Sequence, residues 1–254
     1  MIYTAALLTY LATASALVAA SASETWKQLV DDRLKTKTAF AYVENDPSLP
    51  NVLIYGDSIS IAYTARVREQ LKGKANLYRL HCNGNHSGTV IGNMNQMHTT
   101  MRNPDLDKPW KFKWDVIHLN VGLHDLKYVP DKKTSTTRLN STDVYKANLK
   151  KIIAYLKKEA PEATLIFATT TPVPKGEKKR DAGSAKIYNA AAMEVLKHHP
   201  EIIINDLHAF TLPRYSEWCT RHNNVHFKEA GSKAQGGTKL PGASLRLYQN
   251  LKPL

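Results

Sequence analysis

Five short, nearly unbroken apolar runs constrain this chain more than any other feature: Val52-Leu53-Ile54-Tyr55, Leu77 to Leu80, Trp114 to Leu119, Thr164 to Ala168 and Ile202 to Asn205. A strand with one wet face alternates polar and apolar residues; these runs do not, so each reads as a strand covered on both faces. Segments with helical spacing separate them. Ile59 to Leu71 and Ser184 to His199 read as helices. Asp143 to Leu156 sets Val144, Ala147, Leu149, Ile152, Ile153 and Leu156 among lysines, as an amphipathic helix with a basic outer face. A lead-in with Trp26, Leu29, Val30 and Leu34 at helical spacing stops before Pro47 and Pro50, and Ser244 to Leu251 lies in a closing helix. Strands alternating with helices predict one α/β domain on a parallel sheet with helices on both faces. No internal repeat or linker divides it.

The 254-residue length suits one such domain, and 43% hydrophobic residues with only 12 Gly and 12 Pro exclude a disordered or collagen-like chain. Lys and Arg number 35 against 22 Asp and Glu, a formal charge of +13, which points to an anionic partner such as nucleic acid, a membrane surface or an acidic polysaccharide. The Lys-rich stretch Lys175 to Arg180 has neither a binding motif nor interleaved aromatics, so no nucleic acid is expected. Met1 to Ala22 is uncharged and ends in Ala20-Ser21-Ala22, the small-x-small pattern of a secretory cleavage site, although its start lacks the usual Lys or Arg. Its apolar core is shorter than the ~20 residues that span a bilayer. The expectation is a signal peptide over residues 1–22, a single domain over 23–254, a secreted or periplasmic location, and no stable membrane insertion after cleavage. Cys82 and Cys219 fit a single disulfide in such a compartment, with two unrelated buried thiols as the alternative.

In a parallel sheet, ligands bind beyond the carboxyl ends of the strands. After the first strand comes Gly56-Asp57-Ser58-Ile59-Ser60, which opens a helix. A serine there sits in the positive end of the helix dipole beside free N–H groups that can stabilise an oxyanion, although an N-cap without chemistry has the same look. After the second comes His81-Cys82-Asn83-Gly84-Asn85-His86-Ser87-Gly88-Thr89, where glycine lets backbone approach a ligand. After the third comes Asn120-Val121-Gly122-Leu123-His124-Asp125. Near the end, Arg221-His222-Asn223-Asn224-Val225-His226-Phe227 offers His226 as a general base for Ser58.

In order and spacing, these blocks resemble the SGNH or GDSL hydrolases: Gly56 to Ser58, the glycine block ending at Gly88, Gly122 to Asp125, and His226. The strings GLHDLK and TTTPVP look like those of a secreted bacterial branch. The resemblance implies a three-layer α/β/α sandwich of the flavodoxin-like type with a five-stranded parallel sheet. It also implies a serine esterase with Ser58 as nucleophile, His226 as base, and the N–H groups of Ser58 and Gly88 in the oxyanion hole. The nucleophile elbow G-x-S-x-G of the α/β-hydrolases is a different motif, since it needs Gly where Ser60 stands.

Two departures stand out. The family's oxyanion Asn is replaced by His124, whose imidazole N–H can donate the same bond while titrating, with Asn120 as a substitute donor. The acid three residues before the base is replaced by Asn223, and in the worked protease triad an Asp-to-Asn change costs ~10⁴-fold in turnover. Either a backbone carbonyl holds the His226 ring, or another acid such as Asp206 or Glu217 does, or hydrolysis is lost. Asp57 and Asn85, with Lys178 and Lys179 in the loop after the fourth strand, are assigned to substrate binding. Ten histidines occur without HExxH or CxxC spacing, so no metal and no cofactor are expected. The expected function is an exported carbohydrate O-acetylesterase acting on a small ester or an acetylated glycan. The alternative is an altered domain that binds an acidic polysaccharide without hydrolysing it. A lipid substrate is disfavoured, because no lid or long apolar stretch accompanies the blocks.

Overall fold

The computed structural model describes residues 19–130 and 137–237. Five parallel strands form one sheet: β1 (Asn51–Gly56), β2 (Asn76–Arg79), β3 (Val116–Asn120), β4 (Thr164–Ala168) and β5 (Ile203–Asn205), in the order β2-β1-β3-β4-β5. The helices are α1 (Ala22–Leu29), α2 (Ser58–Leu71), α3 (Val90–Met101), α4 (Thr142–Glu159), α5 (Ser184–Leu196), α6 (Leu207–Thr211), α7 (Tyr215–Trp218) and α8 (Glu229–Gln235). The helices α3, α4 and α5 pack side by side, and α2 packs with α8, so the sheet lies between two helical layers. The expected α/β/α architecture is the observed one. Every residue of β1, β2 and β3 is buried, as unalternated apolar runs require.

Register fixes where function can sit. Gly56 pairs with Asn120, Asn120 with Ala168, and Ala168 with Asn205, so four strands end in one row. The chain leaves β1 toward β2 on one side and leaves β3 toward β4 on the other. Such a reversal opens a crevice beyond β1 and β3.

The helix over α4 starts at its Ser141 cap, whose hydroxyl accepts from the Val144 N–H at 3.3 Å. Its buried stripe is Tyr145, Leu149, Ile152, Ile153 and Leu156, while Val144 and Ala147, expected inside, are exposed. Tyr145 displaces them because its hydroxyl finds the Val121 carbonyl at 2.9 Å, which lets a large ring be buried without an orphaned polar atom. The helix α3 was not anticipated; it buries Val90, Met94, Met97 and Met101, unbranched side chains that fill irregular space. The closing helix expected over Ser244 to Leu251 lies outside the described residues. Cys82 and Cys219 are separate free thiols, which corrects the disulfide expectation. Among the described residues no helix is long and apolar enough to cross a membrane.

The expected cleavage point falls inside folded structure. Ser21 caps α1, Ala22 is buried with its N–H on Asp107 Oδ1 at 2.7 Å, and Ala20 exchanges backbone hydrogen bonds with Asp105 and Asp107. If an exported form is processed, mass spectrometry of its N-terminus is expected to find Ser21 or an earlier residue first. A start at Ser23 would cost the cap, about 1 kcal/mol.

Candidate active site

Ser58 owes its place to two buried residues beneath it. Asp57 caps α2, its carboxylate accepting from the Ile59 N–H at 2.9 Å, and this leaves Ser58 as the first helical residue with its N–H among the donors a helix start leaves open. Burial pushes the Asp57 pKa up to about 6. The side chain is 1% exposed, so capping replaces the substrate contact expected for it. Arg79 braces the same turn: it donates to the Gly56 carbonyl at 2.8 Å, to Ser60 Oγ at 2.9 Å and to Thr64 Oγ1 at 3.2 Å, and lies over the Phe40 ring. Burial lowers its pKa to about 10, which leaves it cationic at neutral pH. Sequence reading passed over Arg79. The available signal was an arginine inside an otherwise apolar strand.

His226 meets Ser58 across the crevice, with Nε2 at 2.9 Å from Ser58 Oγ. Its other nitrogen, Nδ1, lies 2.8 Å from Asn224 Oδ1, and the His226 backbone N–H donates to that same oxygen at 3.0 Å. A backbone N–H can only donate, so the amide presents oxygen, and the ring nitrogen facing it must carry the proton. Nε2 is thereby left with the lone pair that faces the serine. The residue that orients the His226 ring is thus Asn224, two before it, and not Asn223, which packs beside Gly176. Asp206 caps α6 and holds Thr169 Oγ1, and Glu217 pairs with Arg214, so neither stands in for the missing acid. The loop is pinned by Thr220 N–H on the His226 carbonyl at 3.0 Å and by Tyr215 O–H on the Asn224 carbonyl. Partial burial, aided by the Arg180 charge, holds the His226 pKa below the usual imidazole value.

The second and third blocks are locked together by Asp125, which is fully buried. Its carboxylate accepts from Ser87 N–H at 3.0 Å, Ser87 Oγ at 2.5 Å and Asn140 Nδ2 at 2.6 Å. Gly84 seats the second block on the end of β1, donating to the Gly56 carbonyl at 3.0 Å where a Cβ would meet that oxygen at 2.7 Å. Gly122, at φ +141, turns the third block in a conformation that favours glycine.

The oxyanion donors differ from expectation. Gly88 N–H donates to His86 Nδ1 at 3.2 Å within its own turn, so it serves an oxyanion only by exchanging that bond. Asn120 is buried and its amide NH₂ donates to the Ala168 carbonyl at 3.1 Å and to the Thr169 carbonyl at 3.5 Å, which ties β3 to the end of β4 and engages the donors expected to face a ligand. His124 has Nδ1 buried without a partner among the described residues, and burial with the Arg180 and Lys127 charges lowers its pKa to about 3. It is therefore neutral at working pH, correcting the idea of a titrating donor. Among the described residues no group of three or more His, Cys, Asp or Glu is placed to hold a metal.

The basic loop contributes differently as well. Lys178 and Lys179 are exposed, and Asn85 sits at the exposed tip of its turn with φ 55. Arg180 instead is buried, with Nε on the Leu123 carbonyl at 2.7 Å and an ion pair to Glu177 at 3.2 Å, and its charge bears on both His124 and His226.

Replacing Asp125 with Ala would strand the buried Ser87 donors and the half-buried Asn140 amide. The expected loss is about 3 kcal/mol, or roughly 6–12 °C in Tm for a domain of this size, measured by thermal denaturation.

The model of the GDSL-like lipase/acylhydrolase family matches residues 54–234. Among solved structures, the acetyl xylan esterase AlAXEase aligns with a TM-score of 0.54 at 18% identity, covering 73% of this chain and 96% of its own. Axe2, an acetylxylan esterase from Geobacillus stearothermophilus, aligns at 0.54 and 14%, covering 75% and 95%. A GDSL-like lipase candidate from Parabacteroides merdae ATCC 43184 aligns at 0.56 and 15%, covering 74% and 92%. Identities this low speak to the fold. No curated protein matches the chain. The family match runs through all four blocks, from the strand before Ser58 to the helix after His226, and with it the chain belongs to the GDSL-like lipase/acylhydrolase family, the SGNH hydrolases, as a hydrolase of ester bonds.

Proposed function

We propose that this chain is an exported carbohydrate O-acetylesterase in which Ser58 attacks, His226 acts as base and Asn224 holds the base. The observation that carries the reading is the relay of 2.9 Å from Ser58 Oγ to His226 Nε2 and 2.8 Å from His226 Nδ1 to Asn224 Oδ1. In the first step Nε2 takes the hydroxyl proton as Ser58 Oγ bonds to the acetyl carbonyl carbon. The developing oxyanion is met by the Ser58 N–H at the start of α2, joined by the neutral His124 ring. His226 then returns the proton to the sugar oxygen, which leaves with the alcohol, and the acetyl group stays on Ser58. Water deprotonated by the same Nε2 attacks that ester, and acetate departs as Ser58 recovers its proton.

Two features support a small acyl group on a bulky alcohol. Ser58 is half-buried and His226 is exposed, so the reacting centre is open to a large substrate. Fold neighbours are described as acetyl xylan esterases. Export is supported by the uncharged leader with its small-residue end. The non-hydrolytic alternative drew its motive from an amide in the acid's place, and Asn224 supplies an acceptor that the base needs.

Hydrolysis of acetylated xylan is expected to fall at least ~10³-fold in Ser58→Ala and in His226→Ala. A Ser58→Ala protein with full activity would overturn the mechanism. Because the base works as the neutral ring, a depressed His226 pKa places the acid limb of kcat/KM below pH 6.5, the ordinary imidazole value. Asn224→Asp adds a negative charge beside Nδ1 and is expected to move that limb upward by about 1 unit or more. Asn224→Ala is expected to lower kcat about 10²-fold, through loss of the preferred tautomer.

A further inference from the structure

At the end of the sheet opposite Ser58 lies a cavity of about 750 Å³, bordered by Asn51 at the start of β1 and Asp115 just before β3. Ser58 lies seven positions beyond Asn51, past the end of β1 and roughly 20 Å away, so this cavity is not part of the catalytic crevice. One wall is the segment Lys108-Pro109-Trp110-Lys111-Phe112-Lys113, in which cationic and aromatic residues alternate from Trp110 on, and the buried Trp114 lies behind it. Trp110, Phe112 and Trp114 all pack on Tyr78, with ring centroids 5.0, 4.9 and 5.3 Å away. Lys111 and Lys113 remain exposed.

Three observations mark the cavity as a binding site rather than a gap. First, the indoles of Trp26 and Trp114 are satisfied, by the Phe40 carbonyl at 2.8 Å and His98 Nε2 at 3.0 Å. Trp110, 6% exposed and lining the cavity, gives its indole N–H to no other described residue, and that atom is not sealed from solvent. It is a donor available to whatever occupies the cavity. Second, Phe112 and Tyr42 are only half-buried there and present ring surface to solvent. Third, the charges do not cancel. Lys108 is matched by Glu44, and Lys111 and Lys113, which make no ion pair among the described residues, outnumber the remaining carboxylate, Asp115, which accepts from the Asn51 N–H at 2.7 Å.

We propose that this cavity binds an anionic saccharide, a uronic-acid-bearing chain, at a second and noncatalytic site. An aromatic wall suits the apolar face of a pyranose ring, the free indole N–H and the side-chain oxygens of Asn45 and Glu44 suit its hydroxyls, and the two unpaired ammonium groups suit its carboxylates. The choice of a sugar rests on the carbohydrate reading above. The site would anchor an acidic glycan whose acetyl groups are removed at the far end of the sheet.

The test uses the full chain carrying Ser58→Ala, so that binding is read without turnover, with polygalacturonate as probe in affinity electrophoresis. Retention by polygalacturonate is expected, with quenching of tryptophan fluorescence. Lys111→Gln with Lys113→Gln, both at exposed positions outside any ion pair among the described residues, is expected to weaken it about tenfold, and Phe112→Leu to weaken it further. In the active background the lysine pair is expected to leave hydrolysis of a small acetyl ester unchanged. No retention, retention indifferent to the lysine pair, or equal binding of polyglutamate, which has the charge without the ring, would each overturn the proposal. Ser58-dependent hydrolysis without polygalacturonate binding would sink this proposal alone, whereas binding without hydrolysis would sink only the esterase reading.

Discussion

One amide oxygen decides whether this site can work. Asn224 Oδ1 accepts from the backbone N–H of His226 at 3.0 Å and faces the ring nitrogen of the same residue at 2.8 Å. Turning the amide over would set its NH₂ against a backbone donor and forfeit that hydrogen bond, a net loss of about 0.5–1.5 kcal/mol. The amide therefore stays oxygen-first, Nδ1 keeps the proton, and the lone pair at Nε2 faces Ser58. An asparagine in a triad is damaging when it selects the wrong tautomer. Here the backbone prevents that selection, although no negative charge is present to stabilise the imidazolium. Electrostatics agree: the neighbouring Arg180 charge and partial burial both favour the neutral ring, which is the form a base requires.

The relay is held by parts that never touch a substrate. Arg79 ties the carbonyl at the end of β1 to the first turn of α2, and so fixes the angle at which Ser58 emerges. Asp125 gathers donors from the second block and from the approach to α4 into one buried carboxylate. Both put charge into the interior, where satisfied hydrogen bonds must offset the loss of solvation. Their shared effect is to make the ends of β1, β2 and β3 one rigid platform.

Much of this was legible in the residues alone. Unalternated apolar runs revealed the parallel sheet, the position just after the first run pointed to Ser58, and the block near the end of the chain pointed to His226. What escaped depended on neighbours in space. Asn224 and Asn223 are chemically identical, and only the path of the loop decides which reaches Nδ1. Asn120 looked like a donor at a strand end, yet the Ala168 carbonyl beside it in the sheet claims its amide. Asp57 belongs to the motif itself, but as a cap rather than a ligand. The helix α3 was invisible because its apolar face is built largely of methionine and shares its surface with polar residues. The excess of positive charge also resolves unevenly. Lys146 and Lys157 on α4 pair with Glu194 and Glu201, Arg79 and Arg180 are buried braces, and Lys111 and Lys113 make no ion pair among the described residues at the far end of the sheet.

The tautomer of His226 is the most direct test of this account, and ¹⁵N NMR of the side chain reads it without any substrate. A protonated Nδ1 and an unprotonated Nε2 in the native protein at neutral pH, with that preference lost in Asn224→Ala, is the predicted result. A ring protonated at Nε2 in the native protein would contradict it, because the atom facing Ser58 would then have no lone pair with which to accept the proton.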